Sequence, residues 1–140
     1  MKIYLASPFF NDEELADVIR AENILLARGF DIFSPRLHEV RTDKIADPAH
    51  WSRETFEMDR VNIDRCDCVV MLYRGAYSDS GTAWECGYAF GTGKPVVVVQ
   101  LGEDSNLMVH EGSRASITLD DLSGYDFEAL PRVGYGGKML

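Results

Sequence analysis

The carboxylates Asp79 and Glu85 stand at the two ends of Asp79-Ser80-Gly81-Thr82-Ala83-Trp84-Glu85, which continues into Cys86-Gly87. This stretch falls between two apolar runs, Cys68-Val69-Val70-Met71-Leu72-Tyr73 and Pro95-Val96-Val97-Val98-Val99. Short β-branched runs of this kind predict buried parallel strands, so the segment between them reads as a loop opening into a crossover helix. In open α/β sheets, ligands bind beyond the carboxyl ends of the strands, and both carboxylates fall there. In the first turn of that helix, Glu85 would feel the positive end of the helix dipole and stay ionised. An ionised carboxylate over a strand end is a candidate nucleophile toward a sugar carbon, with Asp79 binding polar ligand groups from the same loop. The same residues also have a plain structural reading. Thr82-Ala83-Trp84-Glu85 matches a capping box, and Asp79 suits an N-cap or a turn.

Asp59 shares a predicted helix face with Phe56 and Ile63, at spacings of three and four, which turns it inward. A partly buried carboxyl keeps its proton to higher pH and can act as a general acid. Tyr4 lies in an otherwise apolar strand. A buried phenol needs a partner, and a carboxylate at the sheet edge would serve. Phe9 and Phe10 follow that strand and can pack on the core or stack on a flat base. Asp64 reads as a solvated surface acid. His38, His50 and His110 are scattered over predicted loops and turns without metal-ligand spacing, which suits solvated or minor polar roles. Cys66, Cys68 and Cys86 read as buried, reduced thiols of a cytoplasmic protein, since no second pair completes a Cys-x-Cys metal site. Gly87, Gly91 and Gly93 form no dinucleotide fingerprint, and there is no Walker motif. No metal and no cofactor is expected.

The elements that must carry these groups alternate. Lys2 to Ala6 predicts a strand, and Asn11 or Asp12 can cap a helix running to about Arg28, stopped by Gly29. Leu15, Val18, Ile19, Leu25 and Leu26 give that helix its apolar face. A strand is predicted over Phe30 to Phe33, a helix over Trp51 to Arg65 and a third strand over Asp67 to Tyr73. A helix from Thr82 to about Thr92 then precedes a fourth strand at Pro95 to Gln100. Ser105 to His110 predicts a short helical turn, and Ala115 to Leu119 a fifth strand. The polar stretch from Arg36 to His50 has no period and is long for a connection, and such loops are often functional. The aromatic, Gly-rich tail from Ser123 onward has no assignment. Strands alternating with helices predict a doubly wound parallel α/β sheet.

The chain has 140 residues, which predicts one domain over residues 1–140. Its net charge of −9 argues against nucleic-acid partners, whose phosphates call for clustered Lys and Arg. No stretch has the length of a membrane span, and the short apolar N-terminus, cut by Pro8, makes no export signal. No nucleic-acid or membrane partner is therefore expected, and small neutral ligands remain open.

Taken together, the motifs resemble those of the nucleoside 2-deoxyribosyltransferase family. The matching pieces are Ile3-Tyr4-Leu5-Ala6-Ser7-Pro8-Phe9-Phe10, Phe33-Ser34-Pro35-Arg36, Asp59 with Asn62-Ile63, and Asp67-Cys68-Val69-Val70. Asp79-Ser80-Gly81-Thr82-Ala83-Trp84-Glu85-Cys86-Gly87 and Asn106-Leu107-Met108 follow in the family's order. The resemblance implies a flavodoxin-like doubly wound sheet of about five strands with helices on both faces. It also implies transfer of 2-deoxyribose between bases, with deoxynucleosides and free purine or pyrimidine bases as the partners. By position it makes Glu85 the covalent nucleophile, Tyr4 its orienting group and Asp59 the group that handles the base's proton. Asp79 would hold sugar hydroxyls, and Phe9 would stack near the base. Asn106, with Met108 beside it, would reach the site of a neighbouring subunit in a homo-oligomer, a dimer or a hexamer. Tyr125, Phe127 and Tyr135 in the apolar-aromatic tail would support that association.

Two departures from the family pattern touch the base and the tail. His38-Glu39 stands where the family often carries base-reading amides. An ionised Glu39 accepts hydrogen bonds but donates none, so base preference stays open. The last residues are Gly136-Gly137-Lys138-Met139-Leu140, whereas some relatives close the site with a terminal aromatic residue. Three rival readings also stay open. These are a hydrolase of 2'-deoxynucleoside 5'-monophosphates, a phosphoribohydrolase sharing a Gly-Thr-x-x-Glu element, and a non-catalytic metabolite-binding module. The first loop offers apolar bulk rather than phosphate-binding groups, and the Pro-Gly-Gly of the second rival is missing.

Overall fold

A computed structural model describes residues 1–75, 79–103 and 105–140. Residues 76–78 of the loop that follows the third strand lie outside it. The strands are β1 (Lys2–Ala6), β2 (Asp31–Phe33), β3 (Cys68–Tyr73), β4 (Val96–Gln100) and β5 (Ala115–Ile117). They form one parallel sheet in the order β2-β1-β3-β4-β5. The helices are α1 (Asp12–Ala27), α2 (Pro48–Arg65), α3 (Ser80–Gly91) and the short α4 (Leu107–Glu111). This is the flavodoxin-like order, whose switch point lies between β1 and β3 because their crossovers run in opposite directions across the sheet.

Side-chain alternation divides the core in two. Ile3, Leu5, Val70, Leu72, Val97 and Val99 face α1, where Val18, Ala21 and Leu25 meet them. Tyr4, Ala6, Val69, Met71 and Val98 face the other way, toward Ile63 of α2 and Cys86 and Ala89 of α3. Full burial of an aliphatic side chain of this size contributes about 1.5–3 kcal/mol, so both layers are strongly favoured. Parity within β1 therefore decides the face on which Tyr4 emerges. A slip of one residue would turn it away from α3.

Several local expectations need correction. Asp79 caps α3 by accepting from Thr82 N at 2.8 Å, so the helix begins at Ser80 and Thr82-x-x-Glu85 is not a capping box. Glu85 consequently lies in the second turn, where the dipole acts weakly. Pro48, suited to a first helical position, starts α2 three residues before Trp51. His50 lies on α2 rather than in a loop, whereas His110 lies on α4, the short helical turn expected there. Phe56 turns outward from Asp59's neighbourhood and packs on Trp84, with ring centroids 5.3 Å apart. Asp64 is partnered rather than simply solvated: it accepts from Tyr88 Oη at 2.6 Å and from Arg60 at 2.8 Å.

The tail is part of the fold. Leu122, Tyr125 and Phe127 are buried in the layer that holds α1, so the aromatic pair is core and not a surface for association. Arg28 ties this segment to the end of α1 through the carbonyls of Leu122 and Tyr125, both at 2.7 Å. The final residues return to the segment before α4, where Leu140 N donates to Ser105 O and Leu107 N donates to Leu140 O. The three cysteines are free and buried, as expected. No helix among the described residues is long and apolar enough to cross a membrane.

Candidate functional site

The carboxyl end of the sheet gathers groups from four elements. Tyr4 in β1 is fully buried, and its hydroxyl donates to Glu85 Oε1 at 2.9 Å. Burial, reinforced by the negative charges of Glu85 and Asp59, raises the Tyr4 pKa, so the phenol stays protonated and remains a donor. Burial pushes the Glu85 carboxyl up to about 8, so it does not stay ionised at neutral pH as its expected place at the helix start implied; the bond from Tyr4 opposes the rise, and Asp59 and Asp79 add to it. Burial raises Asp59 in α2 to about 6. Its Oδ1 is buried with no hydrogen-bond partner among the described residues. An acceptor left bare inside a fold is costly, and it is satisfied when a ligand donor or a proton occupies that position.

Asp79 caps α3 through one of its two oxygens. Its Oδ2 accepts from both Thr82 N and Thr82 Oγ1, at 2.8 and 3.0 Å, and no hydrogen bond among the described residues uses its Oδ1. A Cβ at Gly81 would stand 2.9 Å from that same Oδ2. The Asp-x-Gly spacing thus has a physical reason: a side chain at Gly81 would displace the carboxylate that caps the helix.

Asn106 caps α4, with its side-chain oxygen accepting from Met108 N at 2.9 Å, and its own N–H donates to the Tyr73 hydroxyl at 3.1 Å. Asp79, Asn106 and Met108 line one cavity of about 900 Å³ between α3 and α4, walled by Met71, Cys86 and Leu140. Tyr4, Glu85 and Asp59 are not among its lining residues. The cavity and the carboxylate cluster are thus adjoining regions that share Asp79 and the start of α3.

The sequence-expected groups are therefore only partly brought together. Tyr4 and Glu85 touch, and Asp59 and Asp79 lie close enough to act on Glu85 by charge. Asn106 and Met108 sit across the cavity from them. Phe9 is partly exposed and stacks on Phe10, with centroids 6.0 Å apart. Glu39 is exposed beyond the turn at Pro35–Leu37. Among the described residues no group of His, Cys, Asp or Glu is placed to hold a metal ion.

Three side chains are more closely engaged than the sequence suggested: His38 and His110, expected to be solvated or minor polar groups, and Glu22, which it did not single out. His38 stacks on Phe33 at 4.2 Å, and Phe33 stacks on Tyr4 at 5.4 Å. His110 is buried beside Ser116 Oγ, with Nδ1 at 2.6 Å, and lies flat against Tyr135 at 4.0 Å. Burial lowers its pKa, so a neutral ring is favoured. Glu22, inside the apolar face of α1, is also buried. Only for Glu22 was there a signal: an acid placed between Val18 and Leu25 at helical spacing.

Residues 3–119 match the family described as Nucleoside 2-deoxyribosyltransferase. A nucleoside deoxyribosyltransferase of Lactobacillus johnsonii is 30% identical over 104 residues, 69% of each chain. A putative 2'-deoxynucleoside 5'-phosphate N-hydrolase of Thermofilum pendens is also 30% identical over 104 residues, 74% of this chain and 70% of its own. Among solved structures, a 2-deoxyribosyltransferase from the psychrotolerant bacterium Bacillus psychrosaccharolyticus superposes with a TM-score of 0.89 at 37% identity, covering 96% of this chain and 99% of that one. With the parallel sheet, its strand order and the Tyr4–Glu85 pair already in view, these matches establish that the chain belongs to the nucleoside 2-deoxyribosyltransferase family of enzymes.

Proposed function

We propose that the chain, working as one domain in the cytoplasm, exchanges the base of 2'-deoxyribonucleosides through a deoxyribosyl ester on Glu85. The observation that carries this reading is the Tyr4–Glu85 hydrogen bond beside the unpartnered Asp59 oxygen. The ionised Glu85 attacks the anomeric carbon as the bond to the base nitrogen breaks. Asp59 gives its proton to the departing base. An incoming base then returns a proton to Asp59, attacks the same carbon and frees Glu85. Two displacements at one carbon retain configuration, as in retaining glycoside transfer. Asp79 Oδ1 accepts sugar hydroxyls, while Phe9, Glu39 and Met108 border the base. An electronegative 2-hydroxyl would destabilise the cationic transition state, which favours 2-deoxyribose over ribose.

The test is an assay with a deoxynucleoside, a second free base and a water-only control. Formation of the second nucleoside supports exchange. Release of free sugar alone supports the hydrolase reading, which the Thermofilum relative favours. Against that reading, the loop Ser7-Pro8-Phe9-Phe10-Asn11 carries no cation for a 5'-phosphate.

The two raised carboxyls give this reading a pH signature. Between about 6 and about 8 the Asp59–Glu85 pair holds one proton. The higher value at Glu85 keeps that proton mostly on Glu85, so the reactive arrangement is the minor tautomer in which the proton has moved to Asp59 and the Tyr4 hydroxyl stabilises the charge on Glu85. At lower pH both groups are protonated and the nucleophile is lost. At higher pH both are ionised and the leaving base receives no proton. A bell-shaped kcat/KM profile with limbs near these values is expected, and a profile flat across this range would refute the pairing.

The reading extends to a homo-oligomer, a dimer or a hexamer, in which Asn106 serves a neighbour's site. Its support is that Met108 is 75% exposed beside an open cavity, with Phe90 and Leu140 also exposed. Leu107 and Met108 therefore do not fill the chain's own core. Asn106→Ala and Glu85→Ala proteins should each be weak alone and regain part of the activity when mixed under subunit exchange. Mixed oligomers, verified by mass, that show no gain would count against shared sites.

A further inference from the structure

Glu22 is a carboxylate on α1 with 2% of its surface exposed. A charge so deeply placed is tolerated only when it is matched. Its Oε1 accepts from Ser34 Oγ at 2.7 Å and from Arg36 Nε at 3.1 Å, and its Oε2 pairs with Arg36 Nη2. All three bonds come from Ser34-Pro35-Arg36, the turn that leaves β2 at the carboxyl edge of the sheet.

What the turn carries explains why this matters. The Ser34 carbonyl lies 2.9 Å from His38 Nδ1; since a carbonyl only accepts, Nδ1 carries the proton. That bond lays the imidazole on Phe33, at 4.2 Å and 22° between planes. Phe33 stacks in turn on Tyr4, at 5.4 Å and 21°, and Tyr4 holds Glu85. A buried acid on the α1 side is thus linked, around the end of edge strand β2, to an aromatic stack on the α3 side.

Stability alone does not call for this arrangement, because apolar residues of similar volume usually replace a buried ion pair without loss. We propose that Glu22 is a positioning residue. Through Ser34 and Arg36 it fixes the turn that presents the His38 ring as the outer face of the stack on the base side of the site. The proposal rests on the base-exchange reading. Tyr4 is held by its own strand, so the clamp governs how well the base is bound and leaves the covalent step alone.

The test compares wild type, the near-isosteric Glu22→Gln and the charge-free double variant Glu22→Met/Arg36→Leu. The His38 ring protons are followed by NMR, since a ring stacked on Phe33 is shifted upfield. In both variants the His38 signals should lose that shift. KM for the nucleoside should rise about tenfold, the scale of one lost aromatic contact, with kcat little changed. The double variant leaves the buried Ser34 hydroxyl without its acceptor, so its melting temperature should fall, and adding Ser34→Ala should restore it. Arg36→Lys, which keeps the charge but not the two-pronged bond, should fall between. Unchanged His38 shifts and KM in folded variants overturn the proposal, and a lower melting temperature with both unchanged leaves Glu22 merely structural. A wild type that exchanges no bases refutes the functional reading instead, and the His38 shift then decides separately whether the clamp exists.

Discussion

Replacing Glu85 with Gln is expected to lower base exchange by about 10³-fold or more, the scale of removing a covalent nucleophile. The same change should raise the melting temperature at alkaline pH. In the folded chain the Glu85 carboxyl is raised from its ordinary 4.5 to about 8, chiefly by burial. A group that binds its proton more tightly when folded contributes stability that is complete below about 4.5 and is lost as pH rises through about 8. Gln cannot ionise, and its side-chain oxygen can still accept from Tyr4. Melting temperatures of both proteins across this range, alongside exchange rates, check both halves. A folded Glu85→Gln protein with near-normal turnover would falsify the nucleophile assignment. A deoxyribosyl mass increase on another residue of the wild type would do the same. Curves that stay parallel across the whole range would remove the account of burial and repulsion.

Asp59→Asn is the second large effect. Its loss should be about 10²–10⁴-fold, the usual contribution of a positioned proton donor. The loss should also depend on the substrate. A base that leaves poorly as an anion needs the proton most, whereas an electron-poor base departs nearly unaided. Rates for a series of deoxynucleosides, ordered by the acidity of the free base, give the measurement. A uniform loss over the series would mean that Asp59 only shapes the site. The variant should also lose the alkaline limb of the pH profile.

The sheet and most of its helices were legible because their signals are local. Five short, mostly apolar runs, with Asn11 and Gly29 bounding α1, needed no tertiary information. The start of α3 misled because two start signals overlap. Asp79 and Thr82 are both good caps, and only the three-dimensional pairing of Glu85 with Tyr4 decides between them. Once Glu85 turns inward, it cannot close a capping box. The tail was unreadable for another reason: Leu122, Tyr125 and Phe127 have no period of their own and are ordered by packing on α1. Glu22 was hidden within an apolar helix face, and its partners lie 12 and 14 residues away across a turn. Distances along the chain said little about the α3–α4 cavity, whose walls come from β3, α3, β4, the α4 region and the last residue.

The buried thiols have a practical consequence at the bench. Cys66 and Cys68 are at most 1% exposed, and burial pushes Cys68 up to about 12, so little reactive thiolate forms at neutral pH. Cys86 follows Glu85 directly and is likewise raised well above its ordinary value by burial. The native chain should therefore be almost silent to alkylating reagents and should take up three labels only as it opens. Labelling rate then reads unfolding directly, without an attached dye. A nucleoside that binds the folded chain should slow all three labels together, and the extent of slowing then reads its affinity.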